Sequence, residues 1–254
     1  MSNTGDIIEL QDIHKSFGSQ RVLKGLNLKI PKGLTTVIIG RSGGGKSVML
    51  KHMIGLIKPD QGQVLVGGHD IVGLNDHQLN QVRRRFGMLF QEAALFDSMT
   101  VLDNVAFPLR EHTHLTDQQV REKVSEKLAM VGLPGVEKKM PSELSGGMRK
   151  RVGLARAIAL EPEIILYDEP TTGLDPPLSA AINRLIADTQ AKLGVTSVVI
   201  SHDIEGAYEV GHNIAMLYNG EIIVQGTPEE IRHSDNEVVQ QFIHGRPEGP
   251  IDVI

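Results

Sequence analysis

Apolar residues recur along this chain in two rhythms, and the switches between them mark its elements. Residues 7–13 and 21–30 alternate apolar with polar, the period-two pattern of half-buried antiparallel strands. Residues 35–39 are apolar apart from two threonines and break at Gly40, as a strand buried on both faces does. A helical stretch runs from Lys46 to about Ile57 and stops before Pro59, and residues 62–66 and 86–90 read as strands. Between Val101 and Ala159 the period is helical, most clearly over residues 116–131, with Thr116 as cap and Gly132 as stop. Strands at 163–168 and 195–201 then alternate with helices at 178–193 and 203–210. The strands 213–218 and 221–225 close a hairpin on Asn219-Gly220.

Apolar strands separated by helices predict an α/β protein whose sheet is covered on both faces. Residues 1–91 and 160–246 are expected to form its core, with an antiparallel β part. Residues 92–159 are expected as an inserted helical subdomain, and 247–254 as a tail, extended or poorly ordered from Arg246 onward.

Composition narrows the function classes. With 254 residues, 40% hydrophobic and 22% charged, the chain can bury a core, and disorder is a poor reading. It has no Cys, which excludes disulfides, thiolate metal sites and Cys nucleophiles. A net charge of −5 argues against wholesale attraction to nucleic acid or anionic lipid, so no nucleic-acid partner is expected. The opening Met-Ser-Asn-Thr-Gly-Asp lacks the basic end and apolar stretch of a secretory signal. The longest apolar runs, such as 37–39 and 198–200, fall far short of the roughly 18 residues of a spanning helix. No direct membrane insertion is expected.

Three clusters carry chemistry. Gly40-Arg41-Ser42-Gly43-Gly44-Gly45-Lys46-Ser47 lies between an apolar strand and a helix. Its glycines let backbone N–H groups turn toward phosphate oxygens. Lys46 can reach the terminal phosphates, the Ser47 hydroxyl can ligate Mg²⁺, and the helix N-terminus adds positive potential. The buried strand ending in Asp168-Glu169 offers one carboxylate for Mg²⁺ and a second to polarise an attacking water. Ser145-Gly146-Gly147 opens a helix 23 residues before Asp168 and offers a hydroxyl and free N–H groups to an anion.

Together with Gln91, Gly173-Leu174-Asp175 and His202, these clusters stand in the order and approximate spacing of an ABC-type ATPase subunit, which the chain resembles over residues 7–242. The resemblance implies a P-loop NTPase of ABC type, with a mixed core sheet, an antiparallel β subdomain and an inserted helical subdomain. It implies ATP and Mg²⁺ as cofactors and a head-to-tail homodimer. Each ATP would lie between the phosphate loop of one copy and Ser145-Gly146-Gly147 of the other.

By the same resemblance, Phe17 stacks on adenine. Gln91 senses the metal and the attacking water, joining Ser47 and Asp168 around Mg²⁺. Asp175 communicates across the dimer. His202 contacts the γ-phosphate and orders the catalytic carboxylate, Glu169. Met148 stands where the family commonly has Gln. With 89–91, 94–96, 103–106, 108–113 and the 242–246 tail, it resembles the ATPase of Mce-type phospholipid transporters. That implies permease subunits and a Mce-type lipid-binding subunit as partners, and a peripheral place on the cytoplasmic face of the inner membrane. It also implies a C-terminal extension that crosses to the sister ATPase. The alternatives are the ATPase of a small-solute importer and a cell-division-type membrane regulator.

Other features read more plainly. Arg83-Arg84-Arg85 and Arg149-Lys150-Arg151 are expected as solvated charge runs, the second on a helix whose other faces are buried. His112 and His114 are too sparse for a metal site. Leu95-Phe96 is expected either as an apolar surface for a permease helix or as a core contact.

Overall fold

The computed structural model describes residues 5–252; the ends of the expected domain and tail, residues 1–4 and 253–254, lie outside the described residues. The chain divides into two compact units, one ending at Leu79 and resuming at Val198, the other spanning 80–197.

In the first unit, β1 (Asp6–Phe17) pairs antiparallel with β2 (Gln20–Pro31), in the register Leu10↔Leu28 and Ile13↔Leu26. These residues are buried, so the alternation seen in sequence is the alternation between core and solvent. Strand β3 (Thr35–Ile39) is buried throughout and leads through the glycine-rich loop into α1 (Lys46–Met53). Next, β4 (Gln61–Val66) and the short β5 (His69–Asp70) extend the antiparallel sheet to the order β2-β1-β4-β5. Helix α1 is shorter than its periodicity suggested: Ile54 leaves helical geometry and Gly55 turns left-handed (φ +62°). Helix α2 (Asp76–Arg83) then carries the chain out of this unit.

The second unit opens with β6 (Phe86–Leu89), followed by α3 (Val101–His112) and α4 (Asp117–Met130). The expected Thr116 cap is present as a reciprocal box with Gln119. Helix α5 (Gly146–Ala157) packs on β6, which pairs parallel with β7 (Ile164–Asp168). Helix α6 (Pro176–Leu193) starts on an Asp175 cap with proline in its first turn and ends on Gly194 (φ +64°).

Strand β8 (Thr196–Ile200) returns the chain to the first unit, where α7 (Ile204–Val210) precedes β9 (Asn213–Tyr218) and β10 (Glu221–Gly226). Strand β9 runs parallel to β3 and antiparallel to β10, so the core sheet is mixed. Short helices α8 (Pro228–Arg232) and α9 (Glu237–Ile243) complete the unit.

The tail departs from expectation. It folds back on its own chain: Ile251 is buried, and the buried Gln241 amide both donates to the Ile251 carbonyl (3.1 Å) and accepts from its N–H (2.6 Å). A side-chain amide with both functions satisfies a backbone that has no strand partner.

Among the glycines of the second unit, Gly87 leaves the least room for a side chain. A Cβ there would lie 2.2 Å from the Ala157 carbonyl oxygen, at the end of α5. Gly87→Ala should therefore force backbone apart and cost about 1–3 kcal/mol, read as a lower denaturant midpoint at unchanged slope.

Candidate functional site

In the first unit the phosphate loop is built by close approach. Gly40 ends β3 at φ +148°, where a Cβ would sit 2.3 Å from the Leu217 carbonyl oxygen of β9, and Gly45 caps α1 at φ +101°. Lys46 is 5% exposed, and its ammonium donates to the carbonyls of Gly40 (2.7 Å) and Arg41 (3.0 Å). The charge is thus held inside the loop that opens the helix, while Ser47 is exposed on the first turn. Arg41, Ser42, Gly43 and Gly44 line a cleft of about 260 Å³ that also takes in Arg21 and Lys24. A cleft bounded by three cations and glycine backbone suits a polyanion.

Phe17, at the end of β1, is half exposed and free of the core, with the Lys15 ammonium 5.6 Å from its ring centre. Lys15 in turn donates to Asp60 (2.8 Å), which with the Ser16 N–H holds the Asp60 carboxyl below its ordinary range. His202 is exposed, directly after Ser201, whose N–H donates to the Ile38 carbonyl of β3 (3.1 Å). Asp203 then caps α7. The loop also meets the tail, since Arg41 Nη1 donates to the Asp252 carbonyl (2.5 Å).

In the second unit, the parallel register from Phe86↔Ile164 to Leu89↔Tyr167 brings two strand ends side by side. Gln91 and Glu169 each lie two residues past the last pair. Asp168, the last residue of β7, is half-buried. Glu169 sits at φ +51°, an unusual backbone for a side-chain-bearing residue outside turns. Its carboxylate accepts from the Thr172 hydroxyl (3.2 Å), and its carbonyl from the Thr172 N–H (3.3 Å). Gln91 is exposed on the turn after β6.

The Ser145-Gly146-Gly147 turn, hereafter the signature turn, forms the start of α5, where the Ser145 hydroxyl accepts from the Met148 N–H (3.3 Å). A Cβ at Gly146 or Gly147 would make only ordinary contacts, 3.5 Å from Leu174 and Leu178. Their own surroundings do not demand glycine, so the small residues suit a ligand that approaches the turn. Asp175 spends its carboxylate on capping α6, accepting from the Leu178 N–H (3.0 Å).

Three contributors escaped sequence reasoning. Thr172 orients Glu169. Lys150, expected in a solvated run, is instead only 6% exposed, with its ammonium donating to the Gln91 carbonyl and, at 3.5 Å, to the Glu169 carbonyl. Burial pushes its pKa below the ordinary lysine value, opposed by the charges of Glu92, Glu169 and Asp168. Arg156, two turns on, donates to the carbonyls of Ala94 (2.7 Å) and Ala93 (2.6 Å). The only available signal was the spacing 150, 153, 156 on one helix face, with Gly at 153.

The Gly40–Ser47 loop between β3 and α1, with an Asp-Glu pair after a buried parallel strand, defines a phosphate-loop nucleotide-binding α/β protein. The chain belongs to the ABC transporter family, whose model matches residues 23–172. It is therefore an ABC-type ATPase. It is 48% identical, over 97% of its length and 69% of the relative, to the probable ribonucleotide transport ATP-binding protein mkl of Mycobacterium tuberculosis. It is 43% identical, over 97% of its length and 93% of the relative, to the intermembrane phospholipid transport system ATP-binding protein MlaF of Haemophilus influenzae. The MlaF protein of Escherichia coli K12 matches at 40% identity, over 98% and 93%.

Among solved structures, the ATP-binding cassette MJ0796, a dimer in a post-hydrolysis state bound to ADP and Pi, aligns with TM-score 0.80 and 34% identity, covering 87% of this chain and 98% of that one. The cbiO1 protein of Clostridium perfringens, part of the ABC transporter complex cbiONQ, aligns with TM-score 0.83 and 29% identity, covering 96% of each.

Removing the Ser145 hydroxyl should unseat the first turn of α5 by about 1 kcal/mol. In Ser145→Ala, amide exchange at Met148 should accelerate several-fold while amides in mid-helix hold their rates.

Proposed function

We propose that this chain is the ATP-hydrolysing subunit of an ABC transporter that moves phospholipid between membranes. It acts as a homodimer on membrane permease subunits, at the cytoplasmic face of the inner membrane, with a Mce-type lipid-binding subunit in the complex. The observation that carries this reading is the 40–43% identity to proteins of intermembrane phospholipid transport systems, over 97–98% of this chain and 93% of each relative. Among the described residues no helix is long and apolar enough to cross a membrane. The 48% identity to proteins named for ribonucleotide transport favours a second reading, a small-solute importer.

The chemistry is phosphoryl transfer to water. The phosphate loop, Gly40 to Ser47, takes the β- and γ-phosphates, with Lys46 supplying the charge and Arg41, Ser42 and the glycines the backbone cradle. Phe17 offers its exposed ring to adenine. By residue chemistry alone the expected donors suit Mg²⁺: the Ser47 hydroxyl, the Asp168 carboxylate and the Gln91 amide all offer hard oxygen ligands. Among the described residues no three His, Asp or Glu groups converge into an all-protein metal cage, which a nucleotide-bound Mg²⁺ does not need. When bound, the ion neutralises charge that develops on the phosphates.

Glu169, oriented by Thr172, takes the proton of the attacking water, and His202 steadies the γ-phosphate. Ser145-Gly146-Gly147 of the second copy presents a helix N-terminus to the same nucleotide, and Asp175 relays across the dimer. Nucleotide that binds the closed dimer better than the open one drives closure, and hydrolysis releases it.

Glu169→Gln should retain ATP binding, accumulate as a nucleotide-bound dimer in size-exclusion chromatography and lose about 10²-fold or more in kcat. Undiminished hydrolysis by this variant would refute the catalytic assignment. Lys46→Ala should lose nucleotide binding in a fluorescent-ATP titration. For the substrate, the complex extracted in mild detergent and reconstituted should transfer labelled phospholipid between vesicles in an ATP-dependent manner. ATP-dependent ribonucleotide uptake without lipid transfer would favour the importer.

A further inference from the structure

Helix α5 carries the signature turn at its start, and one of its faces meets the segment after β6. On that face Lys150, Gly153 and Arg156 follow at three-residue steps. Gly153 admits the contact, because a Cβ there would lie 2.8 Å from Leu89 Cδ1 and 3.1 Å from Ala93 Cβ. Arg156 grips the carbonyls of Ala93 and Ala94, both in the left-handed region at φ +60° and +46°. Lys150 grips the carbonyl of Gln91 and also reaches that of Glu169. An ammonium buried this deeply is costly unless acceptors surround it, and here the acceptors are the main chains of two residues assigned to the reaction.

We propose that Lys150 is a positioning residue for hydrolysis: its ammonium fixes the Gln91 turn against the backbone of Glu169, setting the distance between the amide and the carboxylate that share the attacking water. This rests on the roles given above to Gln91 and Glu169. Because Lys150 sits just over one turn past Ser145, the same helix that offers its N-terminus to nucleotide also sets this pair. Arg156 holds the loop without touching Glu169, so it anchors and does not align.

The test uses the full-length protein, with steady-state ATP hydrolysis and titration of a fluorescent ATP analogue. Lys150→Met keeps the aliphatic stem and removes the donors. It should lower kcat by about tenfold or more while nucleotide affinity stays within about threefold of wild type. In a Gln91→Ala background the same substitution should cost less than about threefold, because the group it positions is already gone. Lys150→Arg, which keeps charge and donors, should stay within about threefold of wild type in kcat.

The inference is overturned if Lys150→Met turns over within threefold of wild type, or if it costs the same factor in both backgrounds. It is equally overturned if that variant loses nucleotide binding in step with turnover, which would make Lys150 a core residue only, or if Lys150→Arg loses tenfold. Glu169→Gln, assayed alongside, separates the two readings. Wild-type turnover there removes the Glu169 assignment, while the Gln91 cycle still decides the role of Lys150.

Discussion

Backbone must touch backbone in this protein, and it can do so only where a side chain is missing. At Gly40 the end of β3 meets the Leu217 carbonyl, and at Gly87 strand β6 meets the end of α5. At Gly153 the missing side chain instead admits the side chains of Leu89 and Ala93 against the same helix. Each contact falls beside a segment proposed to act in the reaction: the Gly40–Ser47 loop in the first case, the Gln91 turn in the other two. Once backbones lie this close, carbonyl oxygens accumulate, and cations must answer them. Lys46 answers Gly40 and Arg41; Lys150 and Arg156 answer the turn from Gln91 to Ala94. The placement of these cations therefore follows from the packing, and a chain of net charge −5 still buries them where carbonyls converge.

Much of this was legible in the sequence because it obeys a period or a spacing. The alternation in residues 7–13 and 21–30 became the β1–β2 pairing, and the apolar run before Gly40 became a fully buried strand. Thr116 and Gly132 bounded α4 closely. Helices α2, α8 and α9 left little trace. They have only eight, five and seven residues, too few turns to show a helical period, and rely on caps and tertiary contacts more than on an apolar stripe. The tail misled for a related reason. Arg-Pro-Glu-Gly-Pro reads as a linker, and nothing local announces that Gln241, ten residues earlier, will bind Ile251.

The site split along the same line. Side chains proposed to act on a ligand are restricted by chemistry to particular residue types, so Lys46, Ser145 and Glu169 could be nominated from residue type and from their spacing taken together. Lys150 did not, because a backbone carbonyl leaves no mark in the sequence of its owner and a lysine between two arginines looks like solvated surface. Neither Arg149, which is exposed, nor Arg151, which is half-buried, shares its environment. Thr172 was hidden similarly, as its hydroxyl serves one neighbour three residues away.

The placement of α5 also constrains how an ATPase of this family can link binding to chemistry. A ligand shifts an equilibrium only through contacts that differ between the two states. Ser145 can make such a contact at one end of α5, and Lys150 and Arg156 hold the Gln91 turn from positions within the next three turns of helix. A helix this short, pinned by Gly153 against β6, has little freedom to bend between those points. On the proposed roles, a displacement of the signature turn by nucleotide would reach Gln91 through one short helix, without an intervening chain of flexible side chains. Coupling of this kind needs a two-state element with contacts at both ends, and α5 has the contacts.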